Sequence, residues 1–399
     1  MSDTSMLLAL NAGSSSIKLG LFALEGGHAV PVGRGALDLQ RPALALQLHI
    51  GEKHSEVPLH VPRTETLDEA VDAMLDALEQ TGALVGLRAA AHRVVHGGNH
   101  YNAAALVDDA MLATLETLTP LAPLHEPQSL HLIHTLRRLR PGLAQTASFD
   151  TAFHAHQHPL ARRIALPRAW HDEGVQRYGF HGLSYAFIAR RLAALAPDVA
   201  AGRVVAAHLG SGASLCAMHG GRSVDTSMGF SALDGVPMGT RCGALDPGVL
   251  LYLMAQRGKS ARQLEDLLYR ESGLLGVSGI SADVRALRAS DDPHAREALD
   301  LFAFRCAGEA ARLASSLGGL DAVVFTGGIG EHDALTRQAI CERLAWLGVR
   351  MDEAANTRHA QRVSTPDSAV AVFVIATDEE QTMADEALAV LGRGGASNM

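Results

Sequence analysis

Two short stretches constrain the fold more than anything else in the chain. LNAGSSSIKLGLF (Leu10–Phe22) and HLGSGASLCAM (His208–Met218) share one plan: an apolar strand, a Gly/Ser turn and a returning strand. An apolar run of strand length bounded by turn residues is the signature of a buried strand. Its recurrence after about half the chain predicts two similarly built halves with a boundary near residue 150. The first half would span 1–150 and regain 385–399; the second would span 151–384. Strands alternate with helical patterns, which makes the class α/β. Thr66–Gln80 is amphipathic at helical period through Val71, Met74, Leu75 and Leu78. Leu87–Val95, Ala144–Phe149, Arg203–Leu209, Ala322–Phe325 and Ala369–Ile375 read as strands. Pro247–Arg257, Ala261–Tyr269, His294–Leu317, Leu335–Trp346 and Glu379–Leu391 read as helices.

Bulk properties exclude several functions. With 399 residues and 47% hydrophobic residues the chain fills more than one core. A net charge of -9 argues against nucleic-acid binding, which needs a basic face. The cysteines Cys216, Cys242, Cys306 and Cys341 form no CxxC pair, and such sparse thiols fit a reducing cytoplasm. The N-terminal apolar run is too short for a signal peptide, and no segment approaches a membrane span.

Three glycine turns offer successive backbone N–H groups of the kind that cradle phosphate. They are Asn11–Ser16 followed by Lys18, His208–Gly212, and Thr326–Glu331. None is a Walker loop. The first two lead into strands, where a dinucleotide fingerprint requires a helix; the third follows a strand and opens a helix. Phosphoryl transfer needs cations and donors aimed at the equatorial oxygens, and Lys18, Arg93, His181 and Arg241 sit beside strand ends and glycines. Two readings stand for Asp150: a carboxylate at a strand's carboxyl end facing a ligand crevice, or a helix N-cap. Two also stand for Thr377–Glu380: oxygen ligands for Mg²⁺, or acidic residues favoured at a helix start. The twenty histidines include His92 and His96 at HxxxH spacing. Arg93 occupies the place of the zincin glutamate, and Val94-Val95 favours a strand, so catalytic zinc is disfavoured.

Taken together, LNAGSSSIK, HRVVHGG, PLAPLHEP, FDTAFH, RYGFHGLS, HLGSGAS, DTSMGF, MGTRCG, SADVR, FTGGIGEH and TDEE resemble the acetate kinase family, in its order and over almost the whole chain. The resemblance implies two ribonuclease-H-like domains of the actin and sugar-kinase type around a nucleotide cleft, with the C-terminal helix returning to the first. It implies a homodimer and reversible phosphoryl transfer from ATP to acetate, giving acetyl phosphate and ADP, with Mg²⁺ or Mn²⁺. By resemblance, Asn11 and Glu379 hold the metal, and Ser14, Ser16 and Lys18 lie near the phosphates. Arg93 binds the carboxylate, Asp150 positions the attacking oxygen, and His181 and Arg241 stabilise the in-flight phosphoryl group with His125 assisting. His208, Leu209, Gly210, Ser211 and Gly212, with Asp283, Val284 and Arg285 and with Gly327, Gly328, Ile329, Gly330 and Glu331, hold the nucleotide. Val95, Leu124 and Phe180 line the acyl pocket together with position 232.

Three departures bear on substrate handling. Ala232 stands where the family has proline, a smaller wall that admits a longer acid. Ser211 replaces an asparagine and keeps a donor. Glu126 replaces the asparagine of LHNP, which is expected to add a negative charge near the anion site. Propionate kinase is the nearest alternative. A non-catalytic actin-like nucleotide clamp is another, but it has no use for Arg93, His181 and Arg241 together. A histidine-based metallohydrolase predicts bound zinc.

Overall fold

A computed structural model describes residues 5–13, 16–39, 43–59, 67–123 and 125–396. The chain divides into two compact units. The first runs from the N-terminus to Phe153 and resumes at Asp378; the second is His154–Thr377. Sequence reading puts the corresponding breaks at 150 and 385.

The first unit is built on strands β1 (Met6–Ala12), β2 (Ser16–Glu25), β3 (His28–Asp38), β4 (Ala45–Ile50), β5 (Lys53–Pro58), β6 (Leu87–Val94), β7 (Ala105–Leu106) and β8 (Ala144–Phe149). They form one sheet in the order β5-β4-β3-β2-β1-β6-β8-β7. The turn after β1 carries the first glycine; the Gly13 N–H donates to the Ser16 carbonyl at 2.8 Å. Antiparallel pairing then places Asn11 opposite Lys18. β1, β6 and β8 run parallel, so their carboxyl ends lie along the same edge. One face packs Leu8, Leu10, Leu19 and Leu21 against Val71, Met74, Leu75 and Leu78 of the helix Leu67–Gln80. The periodicity seen in the sequence is thus the buried stripe of that helix. A second cluster joins Val94 and Phe149 to Leu130 and Ile133 of the helix Glu126–Leu139.

The second unit repeats the plan. Its strands are β9 (Arg203–Leu209), β10 (Ala213–His219), β11 (Arg222–Thr226), β12 (Ala322–Thr326) and β13 (Ala371–Val374), in the order β11-β10-β9-β12-β13. A three-stranded antiparallel meander is again followed by two parallel neighbours, as in β3-β2-β1-β6-β8. The long helix Pro293–Leu317 packs on it with Phe302, Cys306 and Leu313 fully buried. The final helix, Glu379–Ala396, belongs to the first unit and contacts β1, β3, β6 and β8.

Candidate active site

In the first unit, the parallel strands deliver three polar side chains to one edge: Asn11 from β1, Arg93 from β6 and Asp150 just after β8. Arg93 is held in a fork by Asp150. Its Nε donates to Oδ1 at 3.0 Å and its Nη2 to Oδ2 at 2.6 Å. Asp150 is 1% exposed. A bidentate pair of this kind fixes the guanidinium plane as well as its position. Arg93 Nη1 reaches Asn11 Oδ1 at 3.4 Å, and Asn11 Nδ2 donates to Glu379 Oε2 at 2.9 Å and Glu380 Oε1 at 3.0 Å. Burial alone would lower the Arg93 pKa, but the Asp150, Glu379 and Glu380 carboxylates more than offset it, so the guanidinium stays charged. Glu380 is pushed up by burial and then by neighbouring Glu379, with Asn11 and Lys18 opposing. The carboxylates of Glu379 and Glu380 and the Oδ1 of Asn11 are oxygen ligands of the kind a hard divalent cation prefers, although here Asn11 turns its Nδ2 toward the carboxylates. Lys18 is exposed on β2, and Ser16 opens that strand. Ser14 and Leu124 lie outside the described residues.

Glu126, expected from the sequence to add a negative charge, sits where burial favours its protonated form. Its side chain is fully buried at the first turn of the helix Glu126–Leu139. Oε2 accepts the His96 N–H at 3.0 Å. Burial, reinforced by nearby Asp150, pushes its pKa from 4.5 up to about 8, against the N–H bonds of His96 and Val95 and the charge of Arg93. His125 immediately precedes it as the helix N-cap residue. Val95 is 3% exposed.

The second unit gathers the other cationic groups around β9 and β10. His181 precedes the helix Gly182–Leu195 in the left-handed region, φ 57°, next to Gly179 at φ 78°. For a non-glycine residue that backbone is costly and aims the side chain sharply. The His181 ring stacks on His208, centroids 4.4 Å apart. Its Nδ1 bonds Ser214 Oγ at 2.8 Å, and Ser214 in turn bonds Tyr185 Oη at 2.5 Å. His208 Nδ1 bonds Ser184 Oγ at 2.8 Å. A methyl group at Gly212 would come within 3.0 Å of Arg241 Nη2 and 3.3 Å of His181 Nε2, so both side chains converge over that glycine. Arg241 Nη1 donates to the Ala232 carbonyl at 2.9 Å. Phe180 is buried, and its carbonyl bonds His154 Nε2 at 3.0 Å.

The glycine turns are themselves pinned. Gly210 N–H donates to the Gly212 carbonyl at 3.0 Å, and Ser211 accepts through its carbonyl from Gly239. Gly327 has φ 77° and lies against the Leu209 carbonyl, which a side chain there would strike. It opens the helix Gly327–His332, which includes Gly328, Ile329 and Gly330. Glu331 Oε1 accepts the N–H groups of Gly327 at 2.9 Å and Thr377 at 3.2 Å. Asp283 caps the helix Val284–Arg288 by accepting the Arg285 N–H at 2.8 Å, and Val284 is buried. Among the described residues no group of three or more His, Cys, Asp or Glu is placed to hold a metal ion. His92 and His154 are buried and lowered to about 4, chiefly by desolvation, which fits neutral core histidines.

Sequence reasoning named neither Ser214 and Tyr185 nor Ser184. The spacing HGLS carried a signal for Ser184, since residues three apart share a helix face. Ser214 follows Gly212 on a strand by two residues, and only the sheet register brings it under His181.

Two matched sheets, each presenting polar groups at strand ends, define an α/β phosphotransferase fold of the actin and sugar-kinase type. The acetokinase family matches residues 6–385, and the chain belongs to that family. It is 50% identical over 395 residues to an acetate kinase of Rhodopseudomonas palustris, covering 96% of this chain and 97% of that protein. An acetate kinase of Methylocella silvestris is 48% identical over 98% of this chain and 99% of its own length. Among solved structures, a propionate kinase from Francisella tularensis superposes with a TM-score of 0.89 at 32% identity, covering 96% of this chain and 98% of that one. Porphyromonas gingivalis acetate kinase gives 0.86 at 32% identity, covering 97% and 100%.

Proposed function

We propose that the protein catalyses reversible, direct in-line phosphoryl transfer between ATP and acetate, forming acetyl phosphate and ADP. An acetate oxygen attacks the terminal phosphorus, and the bond from that phosphorus to the ADP oxygen breaks. What carries the reading is the part-buried Arg93–Asp150 fork at adjacent strand ends, within a chain that matches the acetokinase family over residues 6–385. A carboxylate nucleophile is already ionised, so no general base is required. Asp150 fixes Arg93, whose remaining Nη1 donors orient the acid. The resemblance assigns apolar contact with the acid to Val95 in the first unit and to Phe180 and Ala232 in the second.

His181 and Arg241 donate to the phosphoryl oxygens as charge spreads over them. Ser214 gives His181 its direction. With the Ser214 hydroxyl donated to Nδ1, the ring proton sits on Nε2, the atom facing Gly212. His125 assists. The turns at His208–Gly212, Asp283–Arg285 and Gly327–Glu331 hold the nucleotide, and the resemblance assigns Ser16 and Lys18 of the first unit to phosphate contact. Asn11 and Glu379, with Glu380 beside them, hold Mg²⁺, which supplies charge neutralisation at the phosphates when bound.

A second copy of the chain covers the helix Pro247–Arg257, which exposes Leu251, Tyr252 and Met254 at 67%, 50% and 48%. Among the described residues no helix is long and apolar enough to cross a membrane, and the four cysteines are free. Free cysteines suit a reducing cytoplasm.

Propionate is a second reading of the acceptor. It is favoured by Ala232 and by the likeness to the Francisella propionate kinase. The test is a hydroxylamine trap for acyl phosphate with ATP, Mg²⁺ and linear acids of increasing length. Acyl phosphate from acetate or propionate is the expected result. No acyl phosphate with any acid refutes the assignment.

A further inference from the structure

Glu126 is a carboxyl beside the Arg93–Asp150 pair for which the reaction has no use. It is wholly excluded from solvent. Its Oε2 accepts the backbone N–H of His96, three residues beyond Arg93 on the same segment. Its Oε1 is buried without a hydrogen-bond partner among the described residues. The charged and titratable groups facing it are few. Arg93 on β6 is committed to Asp150, and Asp150 itself repels a second carboxylate. His96 is lowered to about 4 by burial and contributes no cation at neutral pH. His125 is its neighbour at the helix start. A buried carboxylate with one half unbonded and no cation of its own takes up a proton instead of holding its charge.

We propose that Glu126 is a positioning residue for the carboxylate substrate that works as the neutral acid. Uncharged, it holds through the His96 N–H the segment that carries Arg93. Ionised, it sets a second negative charge beside Arg93 and opposes capture of the anion. The inference rests on the reading of Arg93 as the carboxylate-binding residue. It makes the enzyme's grip on its acid, and not on its nucleotide, sensitive to alkaline pH. The direction of the titration agrees, since burial lifts Glu126 to about 8.

The experiment compares wild type with Glu126→Gln, which keeps the acceptor for His96 and cannot ionise. Initial rates of acyl-phosphate formation are measured with varied acetate at saturating ATP and Mg²⁺, from about pH 6.5 to about pH 9.5. One unit above its pKa only about one carboxyl in ten stays protonated, so the wild-type to variant ratio of kcat/KM for acetate should drop about tenfold by about pH 9. The drop should appear in KM for acetate, while KM for ATP stays parallel in the two proteins. A ratio constant across the range, or a drop carried by kcat alone, overturns the proposal. If Glu126→Gln does not fold, Glu126→Asn, the residue found in the resembled LHNP segment, gives the same comparison. Absence of acyl phosphate from wild type at every pH would instead refute the assigned reaction. Neutrality is then read from the protonated-carboxyl infrared band, expected at about pH 6.5 and lost by about pH 9.5. Its absence at the lower pH overturns the proposal.

Discussion

Replacing Glu126 by glutamine should change the stability of the first unit in a pH-dependent way whose size follows from the structure. Glu126 has an ordinary value of 4.5 and is pushed to about 8 by burial, with Asp150 adding to the shift. Because the folded value is the higher one, its stabilising contribution is fully present below 4.5 and is lost as pH rises through about 8. Between about pH 5.5 and about pH 8 the unfolded carboxyl has given up its proton and the folded one has not. At about 1.4 kcal/mol per unit, that interval costs the wild type about 3 kcal/mol, which glutamine is spared. Tryptophan fluorescence will not report it, since Trp170 and Trp346 both lie in the second unit. Hydrogen exchange of the helix Glu126–Leu139 will, because opening that helix exposes residue 126. Comparing wild type and variant at the same pH cancels the intrinsic exchange rate. The protection difference should grow by about 3 kcal/mol in favour of glutamine between the two pH values. An unchanged difference would show that Glu126 is already ionised in the fold, and the argument from burial would fail.

Arg241→Ala should lower kcat by about a hundredfold or more while ATP affinity stays nearly intact, because its contact strengthens as charge develops; steady-state kinetics with nucleotide titration tests this, and unaltered turnover refutes the role. Ala232→Pro should raise the kcat/KM preference for acetate over propionate, by a few-fold to about a hundredfold if one methylene is sensed there; an unaltered ratio shows that position 232 does not set acid size. Ser214→Ala should lower kcat by about tenfold and shift its pH profile, since His181 loses the hydrogen bond at Nδ1; Ser214→Thr should restore much of both, and a plain loss of thermal stability with an unmoved profile would mark Ser214 as structural only.

What the sequence revealed and what it hid have separate physical causes. The hairpins at Gly13 and at Gly210–Gly212 were legible because an apolar strand interrupted by glycine and serine has few other uses. The helix Pro247–Arg257 was legible in extent from Pro247 at its start and Gly258 after its end. β3 and β5 were not. HAVPVGRGALD is broken by Pro31, Gly33 and Gly35 and buries only Ala29 and Leu37 fully, and KHSEVP at the sheet edge buries nothing fully. Those strands are held by register with their neighbours, a long-range cause that local pattern cannot carry. The same limit applies to the candidate site. Arg93 and Asp150 could be singled out as strand-end charges, but their bidentate pairing spans 57 residues. Glu126 looked like an added charge because sequence supplies identity and not burial.

The charge balance of the first unit links the cation to Glu126. Arg93 and Lys18 face Asp150, Glu379 and Glu380, so the groups around Asn11 are short of positive charge before any substrate arrives. In the proposed reaction the carboxylate adds further negative charge. In the proposed reading, a divalent cation held by Asn11 and Glu379 would reverse that deficit locally. A fourth ionised carboxylate at residue 126 would act against the same arginine from inside the protein, where water cannot screen it. Keeping that side chain uncharged lets it serve the backbone of His96 without acting as a competing anion. Glutamine or asparagine there meets the same requirement at every pH, and glutamate meets it only while it retains its proton.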